Sequence, residues 1–162
     1  MSKKIKSKRV AAASKTLLTA CLSAIAIFTS GCTNQPTTLD LEVYSGKELN
    51  PDANGISSPL MLNFYELRDA ERFLKLDFWA LIDEPTKQLG ADLLSQSKQV
   101  IVPQEKQTYY VLFHEEAKFL GVIASFRDID NNSTWRFVQN LDVQSSNDLE
   151  LKVDNYVIEV KK

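Results

Sequence analysis

Cysteine is the first scarcity. Of the 162 residues only Cys21 and Cys32 are cysteines, so residues 33–162 can hold neither a disulfide nor a thiolate metal site. Histidine occurs once, as His114, which leaves no second imidazole to share a metal or complete a histidine-based acid-base pair. With five glycines in all, there is no glycine-rich phosphate loop, and no serine sits in a nucleophile elbow. The apolar run from Thr16 to Phe28 falls short of the roughly 20 residues a spanning helix needs. Positive charge is scarce too, once its placement is considered. Six of the 19 basic residues lie before residue 16 with no acidic residue among them, which leaves 13 against 21, a formal charge of −8 for the rest. That balance argues against nucleic acid or anionic lipid headgroups as the main ligand.

What is present begins with an address. Lys3, Lys4, Lys6, Lys8, Arg9 and Lys15 form a positive start, the Thr16 to Phe28 run follows, and Thr29-Ser30-Gly31 leads into Cys32. This reads as an export signal over residues 1–31. Small residues directly before a cysteine resemble the lipobox of bacterial lipoproteins, whose cysteine is acylated and becomes the new first residue. Leu18-Thr19-Ala20-Cys21 fits that pattern better than Thr29-Ser30-Gly31-Cys32, where Thr29 replaces the usual Leu, but cutting there would leave almost no apolar segment after Lys15, so Cys32 is the expected lipidation site. An ordinary cleaved signal with a coincidental cysteine is the competing reading. Several acyl chains, at about 0.8 kcal/mol per buried methylene, would make attachment effectively permanent. Thr33 stands where an Asp would hold such a protein at the inner membrane, which implies the periplasmic leaflet of the outer membrane. Residues 32–38 then form a tether of roughly 20 Å at full extension.

The remainder, 39–162, suits one domain with one core. Leu39-Asp40-Leu41-Glu42-Val43 alternates strictly, as a half-buried strand does. Leu60, Leu62 and Phe64 share a face of a second strand ending near Leu67. The period then changes: Asp69 can cap a helix with Ala70, Phe73, Leu74, Phe78 and Leu81 as its apolar stripe, interrupted at Pro85, giving a helical insertion over about 69–88. Val100-Ile101-Val102 is β-branched and stops at Pro103. Tyr109, Val111 and Phe113 alternate with their neighbours, and with Phe119 to Ala124 they read as an antiparallel hairpin. Trp135 to Val143, the Leu149-Leu151-Val153 set and the Tyr156-Ile158-Val160 set complete seven or eight strands. An all-β, two-sheet antiparallel sandwich with a small helical insertion is the predicted fold.

The order of these segments resembles a known family. A lipobox, a strand, a long loop containing Leu49-Asn50-Pro51-Asp52, Ser58-Pro59, Tyr65-Glu66-Leu67, Leu89-Gly90-Ala91-Asp92-Leu93-Leu94, Pro103, Gly121 to Arg127 and Trp135-Arg136 is similar to the outer-membrane lipoprotein of type VI secretion systems, the TssJ (SciN-like) family. One departure is Gln104-Glu105, where that family tends to carry a glycine-containing turn. The resemblance implies a transthyretin-like sandwich, no catalysis, no cofactor and no small-molecule substrate. It implies binding to the periplasmic domain of TssM, an IcmF-like inner-membrane subunit, and indirectly to TssL.

It also implies a contact element between the first two strands, here residues 45–58, with Lys47, Glu48, Leu49, Asn50, Pro51 and Asp52 as partner-binding residues. The loop far exceeds the usual hairpin connection of about 2 to 5 residues. Its composition favours order: Asn50-Pro51-Asp52 suits one turn and Asn54-Gly55 a second needing positive φ. Two turns would present Lys47, Glu48 and Leu49 from a stiff base, with Leu49 as the apolar anchor and the loop dispensable for stability. On residue chemistry alone, Leu49 tucked into the domain edge competes with that reading; the resemblance favours contact.

Other candidates carry less. His114 alternates as a structural strand residue. Asp128-Ile129-Asp130-Asn131-Asn132 begins like a calcium loop but lacks the glycine and bidentate glutamate, with Ser133 and Gln139 in their places, so it reads as a polar turn. Glu115 and Glu116 read as solvated carboxylates. Trp135, Phe126, Phe137, Tyr109 and Phe113 fit a core better than a ligand groove, and Trp79, beside the helical stripe, is unassigned. A general periplasmic lipoprotein that binds or inhibits another envelope protein is the alternative function on the same sandwich. Cys32→Ser is expected to leave the domain folded and release it from the membrane, which cell fractionation checks.

Overall fold

A computed structural model describes residues 35–130 and 133–161; the leader, Cys32 and Asn131-Asn132 lie outside them. Eight strands are found among the described residues: Thr38–Ser45 (β1), Leu60–Leu67 (β2), Leu93–Ile101 (β3), Lys106–Leu112 (β4), Phe119–Ala124 (β5), Arg136–Asn140 (β6), Ser146–Asp154 (β7) and Val157–Val160 (β8). They form two four-stranded sheets, ordered β4-β1-β7-β8 and β3-β2-β5-β6. The predicted sandwich is the observed architecture, and its pairs are antiparallel except β1 with β7, which run parallel from Thr38↔Ser146 to Ser45↔Val153.

The first sheet follows from alternation. Leu39, Leu41 and Val43 of β1 and Leu149, Leu151 and Val153 of β7 point into the core, while Asp40 and Glu150 face water. The second sheet differs because β2 and β5 are apolar at both parities. Leu62, Phe64, Leu120, Val122 and Ala124 fill the space between the sheets. Tyr65, Leu67 and Ile123 point the opposite way and need a second cover.

Three short helices supply it: Glu71–Lys75 (α1), Phe78–Asp83 (α2) and Pro85–Leu89 (α3), ending in a 3-10 turn, Gly90–Asp92. The single interrupted helix expected from periodicity is thus three pieces. Leu76 is extended and closes α1, Asp77 caps α2 by accepting from the Ala80 amide at 2.9 Å, and Pro85 occupies the first turn of α3. Asp69 still accepts from the Glu71 amide at 2.7 Å. Because the helical phase lapses after Lys75, Leu74 leaves the stripe and is 50% exposed, while Ala70, Phe73, Phe78, Leu81 and Leu89 are buried. The Tyr65 hydroxyl crosses this layer to donate to the Leu81 carbonyl at 2.9 Å, and burial pushes its phenol up to about 12.

A second correction concerns the expected hairpin. β4 pairs with β1 in one sheet and β5 pairs with β2 and β6 in the other, so residues 113–118 cross between sheets. The strands have different needs: β4 leaves Tyr110 and Leu112 exposed, as an edge strand can, whereas β5 is apolar on both faces and fits only the centre of the helix-covered sheet. The crossing is held by the Phe113 amide on the Thr37 carbonyl at 3.0 Å, the His114 amide on Glu66 at 3.0 Å and the Lys118 amide on the Leu67 carbonyl at 2.9 Å.

β1 therefore has two distinct ends. Thr37, where the chain enters, is clamped by Phe113 and by the Gln144 amide, which donates to its hydroxyl at 2.8 Å. The β1–β2 loop lies at the other end, roughly 23 Å away along an eight-residue strand.

Gly121 sets the closeness of the helical layer. A Cβ there would stand 2.8 Å from Phe73 Cζ and 3.1 Å from Leu67 Cδ1. Gly121→Ala is expected to cost about 1–3 kcal/mol through overpacking, read as a lowered midpoint in urea unfolding.

Candidate functional site

The β1–β2 loop is built as a compact unit rather than a flexible span. At its start, Gly46 makes room for Asp154, whose carboxylate occupies the place of a Cβ, 1.9 Å from the position such an atom would take. That carboxylate accepts from the Glu48 amide at 2.9 Å. Leu49 then turns inward and is fully buried among the residues between the two sheets.

Asn50 is the hub. It adopts φ 45°, a left-handed conformation that asparagine tolerates better than most side chains, and is only 4% exposed. Its Nδ2 donates to the Pro59 carbonyl at 3.0 Å, and its Oδ1 accepts from the Arg127 amide at 2.8 Å. Its own amide donates to the Asn155 carbonyl at 2.9 Å, and its carbonyl accepts from the Ser58 hydroxyl at 2.6 Å. One side chain thus joins the far end of its loop to the segment after β5. The Arg127 Nε donates to Ser58 Oγ at 3.0 Å, and the Tyr156 hydroxyl donates to the Pro51 carbonyl at 2.8 Å.

Beyond this base the chain closes a second, smaller turn. Asp52 Oδ1 accepts from the Asn54 and Ile56 amides, each at 2.9 Å, and Gly55 takes φ 76°. The Ile56 and Asn54 backbone donors, in that order, hold the Asp52 carboxyl below its ordinary range, with the Arg127 charge adding a smaller effect. The Asn54-Gly55 turn expected from sequence is present.

The presentation of the loop is corrected by this geometry. Lys47 and Glu48 are exposed, Pro51 and Asp52 half-buried, and Leu49 and Asn50 interior, so Leu49 anchors the loop to its own domain. The tip comprises Ala53, Asn54, Gly55 and Ile56, and Ile56 is 64% exposed. Sequence reading passed over Ile56; its signal was an aliphatic residue immediately after an Asn-Gly turn, where solvation would favour a polar one. Removal of Glu48 to Asp52, expected to change thermal unfolding little, would take the core residue Leu49 with it.

The remaining candidates are placed plainly. The His114 Nδ1 accepts from the Glu116 amide at 3.2 Å, and Glu116 pairs with Arg68 at 2.7 Å, whose hydrogen bond and charge lower its carboxyl. Among the described residues no group of three or more His, Cys, Asp or Glu side chains could hold a metal ion. Ser133 donates to the Ile129 carbonyl at 2.7 Å. Phe113 and Phe126 are core residues, and Trp135 packs edge-on against Phe78 with ring centroids 5.4 Å apart. Trp79 is exposed on α2. A cleft of about 270 Å³ opens between β3 and β4, lined by Phe64, Tyr109 and Leu120 together with serine and glutamine side chains of β3. Among the described residues no helix is long and apolar enough to cross a membrane.

With this geometry in view, the chain's likenesses agree. The family model for the type VI secretion lipoprotein (VasD, EvfM, TssJ) matches residues 37–156, beginning at the clamped Thr37. The T6SS lipoprotein TssJ1 from Pseudomonas aeruginosa is 31% identical with a TM-score of 0.75, over 78% of this chain and 95% of that one. A chain of a type VI membrane complex is 25% identical with a TM-score of 0.69, over 79% of this chain and 100% of that one. A chain in the structure described as the T6SS protein TssM C-terminal domain from EAEC has a TM-score of 0.65 at 24% identity, over 78% of this chain and 98% of that one, a likeness of fold. No curated protein sequence matches the chain.

Leu49→Ala is expected to destabilise the domain by about 2–5 kcal/mol, the cost of emptying a core leucine site, as measured by chemical denaturation.

Proposed function

The chain belongs to the type VI secretion lipoprotein family, and from that premise we propose that it is anchored at Cys32 in the outer membrane and grips the periplasmic domain of a TssM-like inner-membrane subunit through its 46–59 loop. Its family is a lipoprotein component of a secretion apparatus and not a known enzyme family. The role proposed is a non-catalytic bridge across the envelope, joined to TssL only through TssM.

One observation carries the reading: Thr37, the end at which a tether from Cys32 would join the domain, and the loop lie at opposite ends of β1. A membrane-tethered domain arranged this way has its loop free to meet a protein rising from the other membrane. The loop also suits capture, because the hydrogen bonds of Asn50, Asp52 and Ser58 order it before any partner arrives, which lowers the entropy lost on binding. The contacting groups are the exposed Lys47 and Glu48 together with the tip, and Ile56 takes the anchoring part that Leu49 cannot.

Crosslinking followed by recovery of an IcmF-like inner-membrane protein tests the bridge; recovery of none would favour the general periplasmic lipoprotein instead. At residue level, Ile56→Asp is expected to weaken binding of the purified ectodomain to the TssM-like periplasmic domain by about tenfold or more. Its unfolding midpoint stays unchanged, because the side chain buries little in the free domain. Calorimetric titration alongside thermal unfolding gives both readouts.

A further inference from the structure

We propose that the chain-entry end of the sandwich rests on the lipid surface through three exposed side chains, Leu112, Val143 and Tyr110, so that the domain is held upright on the membrane. This rests on lipidation at Cys32. Thr37 is fixed between two segments: its carbonyl accepts from Phe113 and its hydroxyl from Gln144. The residues directly before those donors are Leu112, 61% exposed, and Val143, 49% exposed. Large apolar side chains therefore flank the point of chain entry on both sides.

Tyr110 shares the outward parity of Leu112 on β4 and is 70% exposed, a ring with an apolar body and a polar tip that suits the headgroup level. Thr38 pairs with Leu112 on one side and Ser146 on the other, which keeps both segments level with the start of β1.

Chain length selects the occupant. Four residues lie between Cys32 and the clamped Thr37, five Cα steps with a span of roughly 18 Å at most. Acyl chains on Cys32 would sit in the bilayer, so this end of the domain is never far from headgroups. Apolar side chains at an interface reach about 5–10 Å into it. Three such residues bind weakly from solution, but tethering makes the encounter intramolecular, at an effective concentration of millimolar order.

Charge narrows the lipid class. Exposed carboxylates outnumber cations around the patch: Asp40 is the register partner of both Tyr110 and Asp148, and Asp142 and Glu115 are exposed nearby, while Lys118, whose carbonyl accepts from the Leu141 amide, stands against them. A zwitterionic surface such as phosphatidylethanolamine fits, and an anionic one does not.

The lipidated chain with its lipid-capped Cys32 has no other cysteine beyond the leader, so a single introduced cysteine is a unique label site. Lipidated Leu112→Cys, Val143→Cys and Asn54→Cys chains, each carrying a polarity-sensitive fluorophore, are reconstituted in phosphatidylethanolamine-rich vesicles containing brominated lipid. Labels at 112 and 143 are expected to shift to the blue and to be quenched at least about twofold more than the label at 54 on the loop tip. In a Leu112→Glu, Val143→Glu chain, which alters only exposed positions, a Tyr110→Cys label is expected to lose its quenching while the chain still floats with vesicles.

Flotation with unquenched labels at 112 and 143 overturns the docking alone. Equal quenching at 54 overturns the upright orientation, and protection that arises only on adding another envelope protein overturns the lipid assignment. Failure to float overturns the anchor at Cys32 and the docking with it, whereas partner binding by the soluble ectodomain is measured independently of both.

Discussion

β1 is held along both edges, antiparallel to β4 and parallel to β7, with Leu39, Leu41 and Val43 sealed beneath it. A strand paired on both sides and buried on one face can neither slide nor bend far, because a one-residue slip would send its leucines to solvent and Asp40 and Glu42 into the core. Its length therefore becomes a fixed spacing between the clamped Thr37 and the base of the loop. The parallel pair with β7 matters at both ends: it brings Asn147 to the Thr38 carbonyl at 3.0 Å, and Asp154 to the Glu48 amide. A hairpin partner alone would have fixed β1 along one edge only.

The second sheet supplies the mass that keeps this strand buried. Because β2 and β5 present apolar side chains to both faces, that sheet supports one core against β1 and β7 and another beneath the helices. Phe73 reaches Gly121 directly, Tyr65 hydrogen-bonds across to α2, and Arg136 donates to the Phe73 and Leu76 carbonyls at 2.8 Å each. Those two carbonyls belong to the broken end of α1, where helical partners run out, so the arginine satisfies acceptors that the fragmentation leaves open. The helices are too short to persist alone and exist because of this packing.

Much of this was legible where a single physical rule operated. Strict alternation identified β1 and β7, and Asn54-Gly55 identified a turn with positive φ at Gly55. Gln104 takes φ 63° in the turn after Pro103, a left-handed conformation that its side chain gave no sign of. The misses arose where two rules competed. Periodicity joined Phe73 to Phe78 as one helix and could not register that Leu76 is extended. Sequence proximity paired β4 with β5, although the two-sided apolarity of β5 and the one-sided pattern of β4 were already visible as unequal demands for cover. The resemblance alone assigns Leu49 to partner contact, whereas residue chemistry favours the domain edge, and a leucine between two hydrogen-bonded turns does gain more from a core site than from water. The position of Asn50 depends on Pro59, Arg127 and Asn155, which are distant in sequence and offer no local signal.

The broad outer face of the first sheet is the remaining surface, and its chemistry explains why the ends carry the specific features. Glu42 pairs with Lys106 at 2.8 Å, Glu150 with Lys161 at 3.0 Å and Glu159 with Lys152 at 3.7 Å. The Lys161 ammonium also stands 3.3 Å from the Tyr44 ring centroid. Exposed pairs of this kind contribute little to stability, typically below about 1 kcal/mol each. Their effect is to satisfy charge across neighbouring strands at these positions. The three lysines offset Glu42, Glu150 and Glu159, while Asp40 and its register partner Asp148 add further negative charge to the same face. A sandwich with a charged flank, a helix-covered back and two differently furnished ends is suited to act along its long axis, and β1 is the element that defines that axis.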